Sequence, residues 1–465
     1  MTIAGPEDAA TIAGAGDAAR TPVAADAART PIAADEVTIP VASVPWRSTR
    51  CRRGAPSFLA AWALAAGLVL LVGACGAGTT PGPTASELAE LPWDSIVERA
   101  SGSEVVWRMW RGDPAINAYV DEWVAPRLEE RWGIRLLAVE GRGPELVNQL
   151  VVEREAGAPG GADLMWINGE TFQNLRTEGL LQGPWAGALP AARWIDSTSN
   201  IVMRDFEQPL DGLESPWGRV QFALIYDSVR TPDPPRTVTE LGEWILDHPG
   251  RFTHDQSFTG ITFLKTVLYA LGGGVERLAG GFDETEYEAS RDSLFNWIGA
   301  RRSALWREGK TYPSGVAELH RLFANDEVDF SMSNNQNEAV TKAQQGVLPK
   351  TARPLLLRDG TIANAHYVGI PFNATNPAGA MVVADFLLRP EAQLQKLRSD
   401  VWGDGTVLDL ALLPDSLRAG FEQLARDPRA LPADSLRRYA QPEVAAEYHE
   451  RLAADWRARI RRSSR

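Results

Sequence analysis

Short apolar runs alternate with segments of helical periodicity over residues 104–177 of this chain. Glu104–Trp110, Ile134–Val139 and Ala162–Ile167 are predicted to be buried strands. Each is followed by a segment whose apolar residues recur at helical spacing, or by a polar turn that opens a helix. Alternation of strands and helices is typical of a parallel sheet covered by helices. The sequence therefore predicts an α/β fold.

A second series of strands and helices follows further along the chain. Val220–Tyr226 is predicted to be a strand, with Pro-Trp-Gly before it and a polar turn after it. An apolar helix is expected at Ile261–Leu271, and another strand at Val328–Met332. Asn335 and Glu338 have the spacing of a capping box at the start of the next helix. Two successive α/β units predict two lobes.

The N-terminal region has a different composition. Residues 1–57 are rich in Ala, Pro and Thr and are predicted to be disordered, or to reflect the choice of start codon. Arginines precede an apolar run over 58–75 that ends in Gly-Ala-Cys, and this run resembles a bacterial lipoprotein signal with Cys75 as the lipidated residue. The alternative is a short transmembrane anchor. Residues 76–102 are expected to form a flexible tether.

Charge and motif content exclude several classes of function. The chain has 60 Asp and Glu against 47 Lys and Arg, and a formal net charge of −13 argues against a nucleic-acid binder. Two cysteines are too few for a zinc cluster or a disulfide framework. The HExxH, GxSxG and P-loop motifs are absent. Carboxylate pairs such as Asp211 and Glu214 leave a secreted hydrolase as an alternative. Such pairs arise by chance in an acidic chain, so we predict that the protein is not an enzyme. We also expect no cofactor and no metal.

The segment Asn376–Leu397, NPAGAMVVADFLLRPEAQLQKL, is similar to one that is widespread in solute-binding proteins of ABC importers. Together with VVWRMWRGDPAINAYVDEWVAPRLEERWGI, DLMWINGETFQNLRTEGLL, ESPWGRVQFALIYDS and PGRFTH, it resembles the YnjB-like solute-binding proteins, relatives of the thiamine, iron and spermidine binders. The resemblance covers about Trp93 to Trp402. It implies a two-lobed, type II periplasmic-binding-protein fold with a hinged inter-lobe cleft.

The same resemblance implies an exported protein, periplasmic or at the cell surface. A monomer, lipid-anchored to the membrane, is expected to deliver a small solute to the transmembrane subunits of an ABC permease. Hinges are expected near Trp217 and Tyr367. The predicted domain bounds are lobe I over 103–218, lobe II over 219–360, a return crossing with lobe I helices over 361–402, and C-terminal helices over 403–465.

Candidate ligand-binding residues are those that lie at the carboxyl ends of predicted strands or at the lobe crossings, where ligands bind in open α/β sheets. Each also has a purely structural alternative, such as filling the lobe interface or capping a helix. The candidates are Trp110, Asp113, Asn168, Glu170, Trp217, Tyr226, His254, Thr259, Asn334, Asn335 and Tyr367.

Aromatic and acidic side chains dominate this set, and aromatic faces near carboxylates attract organic cations. A cationic solute, thiamine-like or polyamine-like, is therefore the first expectation. Aromatic platforms also suit sugars, so a sugar receptor of the same fold is the alternative.

Overall fold

The structure, a computed structural model, describes residues 82–463. The predicted extension over 1–57, the predicted signal over 58–75 with Cys75, and the first residues of the predicted tether lie outside the described residues. Within the described part of the chain, no helix is both long and apolar enough to cross a membrane.

The strands within residues 82–463 are short, and two of them form the connection between the lobes. In chain order they are β1 (Glu104–Met109), β2 (Arg135–Glu140), β3 (Leu164–Ile167), β4 (Arg204–Asp205), β5 (Gln208–Pro209), β6 (Glu214–Gln221), β7 (Ala223–Asp227), β8 (Phe330–Ser333), β9 (Ala352–Leu355), β10 (Thr361–Gly369) and β11 (Ala440–Gln441).

The helices cover both sheets. In chain order they are α1 (Ala85–Ala89), α2 (Trp93–Ala100), α3 (Pro114–Ala118), α4 (Ala125–Trp132), α5 (Gly143–Ala156), α6 (Glu170–Thr177), α7 (Asn200–Met203), α8 (Val238–Asp247), α9 (Phe258–Gly272), α10 (Glu284–Arg301), α11 (Val316–Ala324), α12 (Glu338–Gln344), α13 (Pro377–Leu388), α14 (Pro390–Leu397), α15 (Asp415–Leu424), α16 (Ala433–Tyr439) and α17 (Ala446–Ser463). Wider π-helical turns at Tyr119–Val124 join α3 to α4.

Local sequence signals account for several helix ends. The Asp113 carboxylate accepts a hydrogen bond from the Ala115 N–H at 2.7 Å and caps α3, as expected for Asp before Pro. Gly133 ends α4 with a φ of 67°, a left-handed conformation that glycine adopts without steric cost. Asn376 caps α13 by accepting from the Gly379 N–H at 2.9 Å.

The larger sheet has the order β2-β1-β3-β10, with β6 and β11 both paired to β10. Strand β1 runs parallel to β2 and β3, which confirms the parallel arrangement predicted from the alternation of strands and helices. Strand β10 runs antiparallel to both β3 and β6. The smaller sheet has the order β8-β7-β9, and β7 is antiparallel to both neighbours.

Separate hydrophobic cores define the two lobes. In lobe I, apolar side chains pack on both faces of the larger sheet. In lobe II, one core packs around the smaller sheet and extends to Trp456 of α17. Trp217 of β6 belongs to the first lobe and Phe222 to the second, while on β10 Ile362 belongs to lobe II and Ala365 to lobe I. The paired strands β6 and β10 therefore carry the chain between the lobes.

This arrangement corrects several expectations. Pro-Trp-Gly lies inside β6, and the predicted strand Val220–Tyr226 is divided between β6 and β7 at Phe222. The capping box of Asn335 and Glu338 does not form, because Asn337 is the N-cap residue and its N–H donates to the Asn335 side chain.

The predicted tether over 76–102 is also corrected in its second half. Residues 85–89 and 93–100 are the helices α1 and α2, and a capping box between Thr84 and Glu87 starts the first of them. Leu88 and Ile96 are buried in the lobe I core against α13. Removal of this apolar surface from water holds α1 and α2 in place on lobe I.

Candidate functional site

An ion pair joins the two lobes beside the carboxyl end of β1. One carboxylate oxygen of Asp113 caps α3, and the other accepts a hydrogen bond from Lys342 Nζ of α12 at 2.6 Å. The side chains are 17% and 10% exposed, so the pair is largely shielded from water. Glu338, one turn earlier on α12, lies 3.8 Å from the same ammonium. Asp113 is thus a link between lobes as well as a helix cap.

Trp110 is the exposed aromatic residue at this edge of lobe I. It follows β1 directly, and 41% of its surface is exposed. Its indole lies over Gly112, where a Cβ would be only 2.4 Å from the ring. A glycine at this position therefore leaves room for the ring to lie against the loop.

The loop between β3 and α6 carries Asn168 and Glu170. Gly169 between them has a φ of 58°, and its N–H donates to the buried carboxylate of Asp205 at 2.6 Å. Burial raises the pKa of the Glu170 carboxyl above its usual value, and the nearby Glu450 of α17 adds to this shift. Within residues 82–463 Glu170 forms no ion pair shorter than 4 Å.

Lobe II presents polar side chains at the end of β8 and the start of α9. Asn334 Nδ2 donates to Thr259 Oγ1 at 3.1 Å, which ties the loop after β8 to the first turn of α9. Asn335 is 8% exposed and its N–H donates to Ser333 Oγ. Its side-chain amide nitrogen has no hydrogen-bond partner in the described part of the chain. These residues come from the lobe that also carries Lys342.

Two of the predicted aromatic residues lie inside lobe I instead of on a cleft wall. Trp217 is fully buried, with its ring centroid 5.3 Å from that of Trp107 and 4.9 Å from that of Trp166. Tyr367 is also fully buried, and its hydroxyl donates to the Arg204 carbonyl at 2.9 Å. Because both rings have no exposed surface, the structure gives them no face for a solute.

Two further candidates belong to lobe II, where His254 is buried and Tyr226 is half-buried. His254 is 2% exposed and packs 5.0 Å from Trp456, and burial lowers its pKa to about 4. Tyr226 lies near the end of β7 opposite Phe330, at the start of β8, and so at the other end of β8 from Asn334. His254 is therefore buried away from a solute, and Tyr226 lies at the far end of β8 from Asn334.

Sequence reasoning missed a second group of contacts between the lobes. Lys265 of α9 and Glu443 form an ion pair that is almost fully buried, and the Lys265 ammonium lies 4.5 Å from the ring centroid of Phe206 in lobe I. The ring of His449 of α17 lies 6.0 Å from that of Phe206 in lobe I and stacks on Phe258 of lobe II, and burial lowers its pKa well below the usual value. Partners so far apart in sequence leave no local pattern, so no signal in the sequence marks them.

Comparisons with known proteins agree with this architecture. A family model for "bacterial extracellular solute-binding protein" matches residues 122–420. The protein YnjB of Escherichia coli (strain K12) is 37% identical over 345 residues, which are 73% of this chain and 88% of YnjB.

Solved structures show the same fold at low identity. The spermidine/putrescine substrate-binding protein PotD of Streptococcus pneumoniae has a TM-score of 0.55 and 15% identity, covering 78% of this chain and 100% of that one. A periplasmic thiamin-binding protein has a TM-score of 0.52 and 16% identity, with 78% and 96% covered. Two lobes joined by the paired strands β6 and β10 match the two-lobed architecture of these proteins. The family match and the YnjB relative show that this chain belongs to the bacterial extracellular solute-binding protein family.

Proposed function

We propose that this protein is the solute-capturing component of an ABC importer, which closes its two lobes on a small solute and presents it to a membrane permease. The observation that carries the proposal is the Asp113–Lys342 ion pair, which spans the lobes beside the carboxyl ends of the lobe I strands. Several structural neighbours, the spermidine/putrescine-binding proteins among them, are ABC transporter proteins, which supports the same role. Binding and lobe closure need no chemical step.

The solute that this site favours is an organic cation. Glu170 supports this assignment, because its carboxylate is half-buried and forms no ion pair in the described residues, although Lys265 and Arg457 lie near enough to lower its pKa. Trp110 adds an exposed aromatic face at the same edge of the sheet. An ammonium or thiazolium group near a carboxylate and an indole gains both Coulombic and cation–π stabilisation. Asp113, Asn168, Thr259 and Asn334 are the polar residues proposed to surround the solute.

The test is a thermal-shift screen with thiamine, spermidine, maltose and citrate, followed by calorimetric titration of the compound with the largest effect. Glu170→Gln keeps the shape of the side chain and removes its charge, so affinity for a cation should fall by about tenfold. Added salt should reduce that difference. The matched control is Glu155→Gln, because Glu155 is exposed on α5 and forms no ion pair in the described residues.

The outcomes separate the alternatives. A cation whose affinity depends on Glu170 and not on Glu155 supports the proposal. Strong binding of maltose, unchanged in Glu170→Gln, would show a sugar receptor instead. Strong binding of citrate contradicts the cation assignment. If none of the four compounds binds, the proposed role as a solute receptor is contradicted.

We also propose that the protein is exported and anchored by lipid at Cys75. The apolar run that ends at Ala74, with small residues before the cysteine, supports this. The Treponema pallidum neighbour, which has a TM-score of 0.55 and 14% identity, is itself a lipoprotein. Mass spectrometry of the mature N-terminus should find a diacylglyceryl group on Cys75, and Cys75→Ala should remain unprocessed. An unmodified peptide that spans Ala74 and Cys75 in the mature protein contradicts lipidation.

A further inference from the structure

A groove of about 540 Å³ lies on lobe II between α10 and α17. Phe295, Ile298 and Gly299 line it from α10, and Trp456 and Arg459 line it from α17. The turns that follow α10 supply the rest of its wall. We call it the α10–α17 groove. Its volume is within the usual range of small-molecule sites.

The α10–α17 groove is separate from the inter-lobe cleft. Helix α17 contacts lobe I near its first turn, where Gln173 donates to Glu447. Trp456, which lines the groove, lies about 13 Å further along the same helix, at ~1.5 Å per residue. None of the residues proposed to surround the solute lines the groove. A ligand bound here is therefore additional to the solute.

The groove contains a buried hydroxyl group that the fold itself does not use. Tyr312 is 8% exposed, and its hydroxyl makes no hydrogen bond within residues 82–463. Gly309 leaves space beside it, because a Cβ there would lie 3.2 Å from Tyr312 Oη. Burial raises the pKa of Tyr312 to about 12, so the hydroxyl keeps its proton at neutral pH and remains a donor. A hydroxyl that is buried this far usually has a partner, so an acceptor is expected in the groove.

Two guanidinium groups lie near this hydroxyl. Arg302 packs against the same glycine, since a Cβ on Gly309 would lie 2.9 Å from Arg302 Cγ. Arg459 lies over Phe295, with 4.7 Å from its guanidinium carbon to the ring centroid, and donates to the Phe295 carbonyl at 3.1 Å. Burial lowers the pKa of Arg459, and the nearby charge of Arg302 adds to this shift. Each guanidinium has five N–H donors, so both can bind an anion along with their present partners, and an anion offsets the repulsion between them.

The carboxylates that line the groove are already paired. Arg291 lies 2.9 Å from Asp292 and 3.4 Å from Asp455. This cluster lies about three helical turns before Arg302 along α10. The other charges in the described lining are the guanidinium groups of Arg302 and Arg459. This end of the groove therefore favours an anion.

We propose that the α10–α17 groove binds a small aromatic carboxylate. The carboxylate accepts from the Tyr312 hydroxyl and from the guanidinium groups of Arg302 and Arg459, while the aromatic body packs against Phe295 and Trp456. The charge of this ligand is opposite to that of the proposed solute. Because the groove is built by lobe II alone, binding here does not require the lobes to close.

Three probes test the proposal: 2-naphthoate, its neutral amide 2-naphthamide, and acetate, which has the carboxylate without the rings. Binding to the full chain is measured by ligand-observed NMR titration at low salt. 2-Naphthoate should bind at least about tenfold more tightly than 2-naphthamide, because hydrogen bonds to a charged acceptor are the stronger ones. Acetate should show no saturable binding. A smaller difference between naphthoate and amide, acetate binding as tight as that of naphthoate, or no binding of naphthoate overturns the proposal.

Tyr312→Phe removes the hydroxyl and keeps the shape of the side chain. It should weaken 2-naphthoate binding about fivefold or more. Thermal stability should not fall, because the hydroxyl makes no hydrogen bond in the part of the chain that the structure describes. The matched control is Tyr439→Phe, which should leave the affinity unchanged, because Tyr439 is half-buried on α16 and lies outside the groove.

Gly299→Leu should block the groove without a change of charge. A Cβ on Gly299 would lie 3.3 Å from Arg459 Nη2, and leucine favours a helix more than glycine does, so α10 should stay intact. Equal affinity of the wild type and both groove variants for 2-naphthoate would overturn the proposal. If Glu170→Gln changes that affinity while the groove variants do not, the carboxylate binds in the cleft, and the groove proposal fails although the receptor function stands.

Discussion

Two carboxyl groups, Asp205 and Glu214, lie buried in lobe I near the loop that carries Glu170. Asp205 accepts from the Gly169 N–H, while neither carboxyl oxygen of Glu214 has a hydrogen-bond partner among residues 82–463. Burial raises the pKa of both groups well above the usual values. Asp205 adds to the upward shift of Glu214, and Glu443 adds to that of Asp205. A carboxyl group in this setting holds its proton to a higher pH than an exposed carboxyl group does.

The raised pKa of Glu214 predicts a pH-dependent stability. Between the unfolded pKa, about 4.3, and the higher folded pKa, the folded chain holds a proton that the unfolded chain has released, so stability falls as pH rises. Glu214→Gln removes this loss. Urea unfolding at pH 5 and pH 8 should show the variant gaining on the wild type at the higher pH, by on the order of 1 kcal/mol. The same difference at both pH values would show that Glu214 is ionised when folded.

The same residue bears on the hydrolase alternative. Asp211 is half exposed and pairs with Arg176, whereas Glu214 is 1% exposed. The two carboxyl groups therefore do not face a common accessible cleft, which is what a glycosidase needs.

At the scale of elements, the contact between α3 and α12 is the clearest inter-lobe link. Asp113→Asn keeps a good N-cap residue while it removes the charge, and Lys342→Met keeps the length of the side chain. A double-mutant cycle in chemical unfolding should give a coupling free energy of about 1–3 kcal/mol, because the pair is largely shielded. The exposed pair Arg131–Glu391 is the control and should give less than about 0.5 kcal/mol. Equal coupling in the two cycles would mean that the lobes are not held by this contact.

The individual strands and helices show which parts of the fold could be predicted from the sequence. The first three strands, the caps at Asp113 and Asn376, and the end at Gly133 were predictable because periodicity and capping act over a few residues. The lobe crossing could not be predicted from the sequence, since Pro and Gly in β6 are typical of a turn although the strand continues through them. Trp217 was therefore wrongly predicted to lie at the cleft. Its burial depends on three tryptophans and a histidine from distant elements, which local sequence does not reveal.

For the whole molecule, the sequence indicated two lobes but not how the C-terminal residues join them. Phe421 packs in the lobe I core, whereas Val444 and Trp456 pack in lobe II, so the chain crosses a third time. From there α17 reaches back to lobe I, where Gln173 donates to Glu447 at 2.8 Å. Such contacts join residues that are far apart in sequence, so composition and periodicity do not reveal them.

The central claim is that the two lobes close on a solute, and small-angle X-ray scattering tests it most directly. Profiles are measured without ligand and with a saturating concentration of the compound selected by thermal shift, alongside far-ultraviolet circular dichroism. We predict a smaller radius of gyration with ligand and an unchanged circular dichroism spectrum, because bending of β6 and β10 moves the lobes as rigid bodies. Identical scattering profiles, with calorimetry showing a saturated site, would contradict a hinged solute receptor.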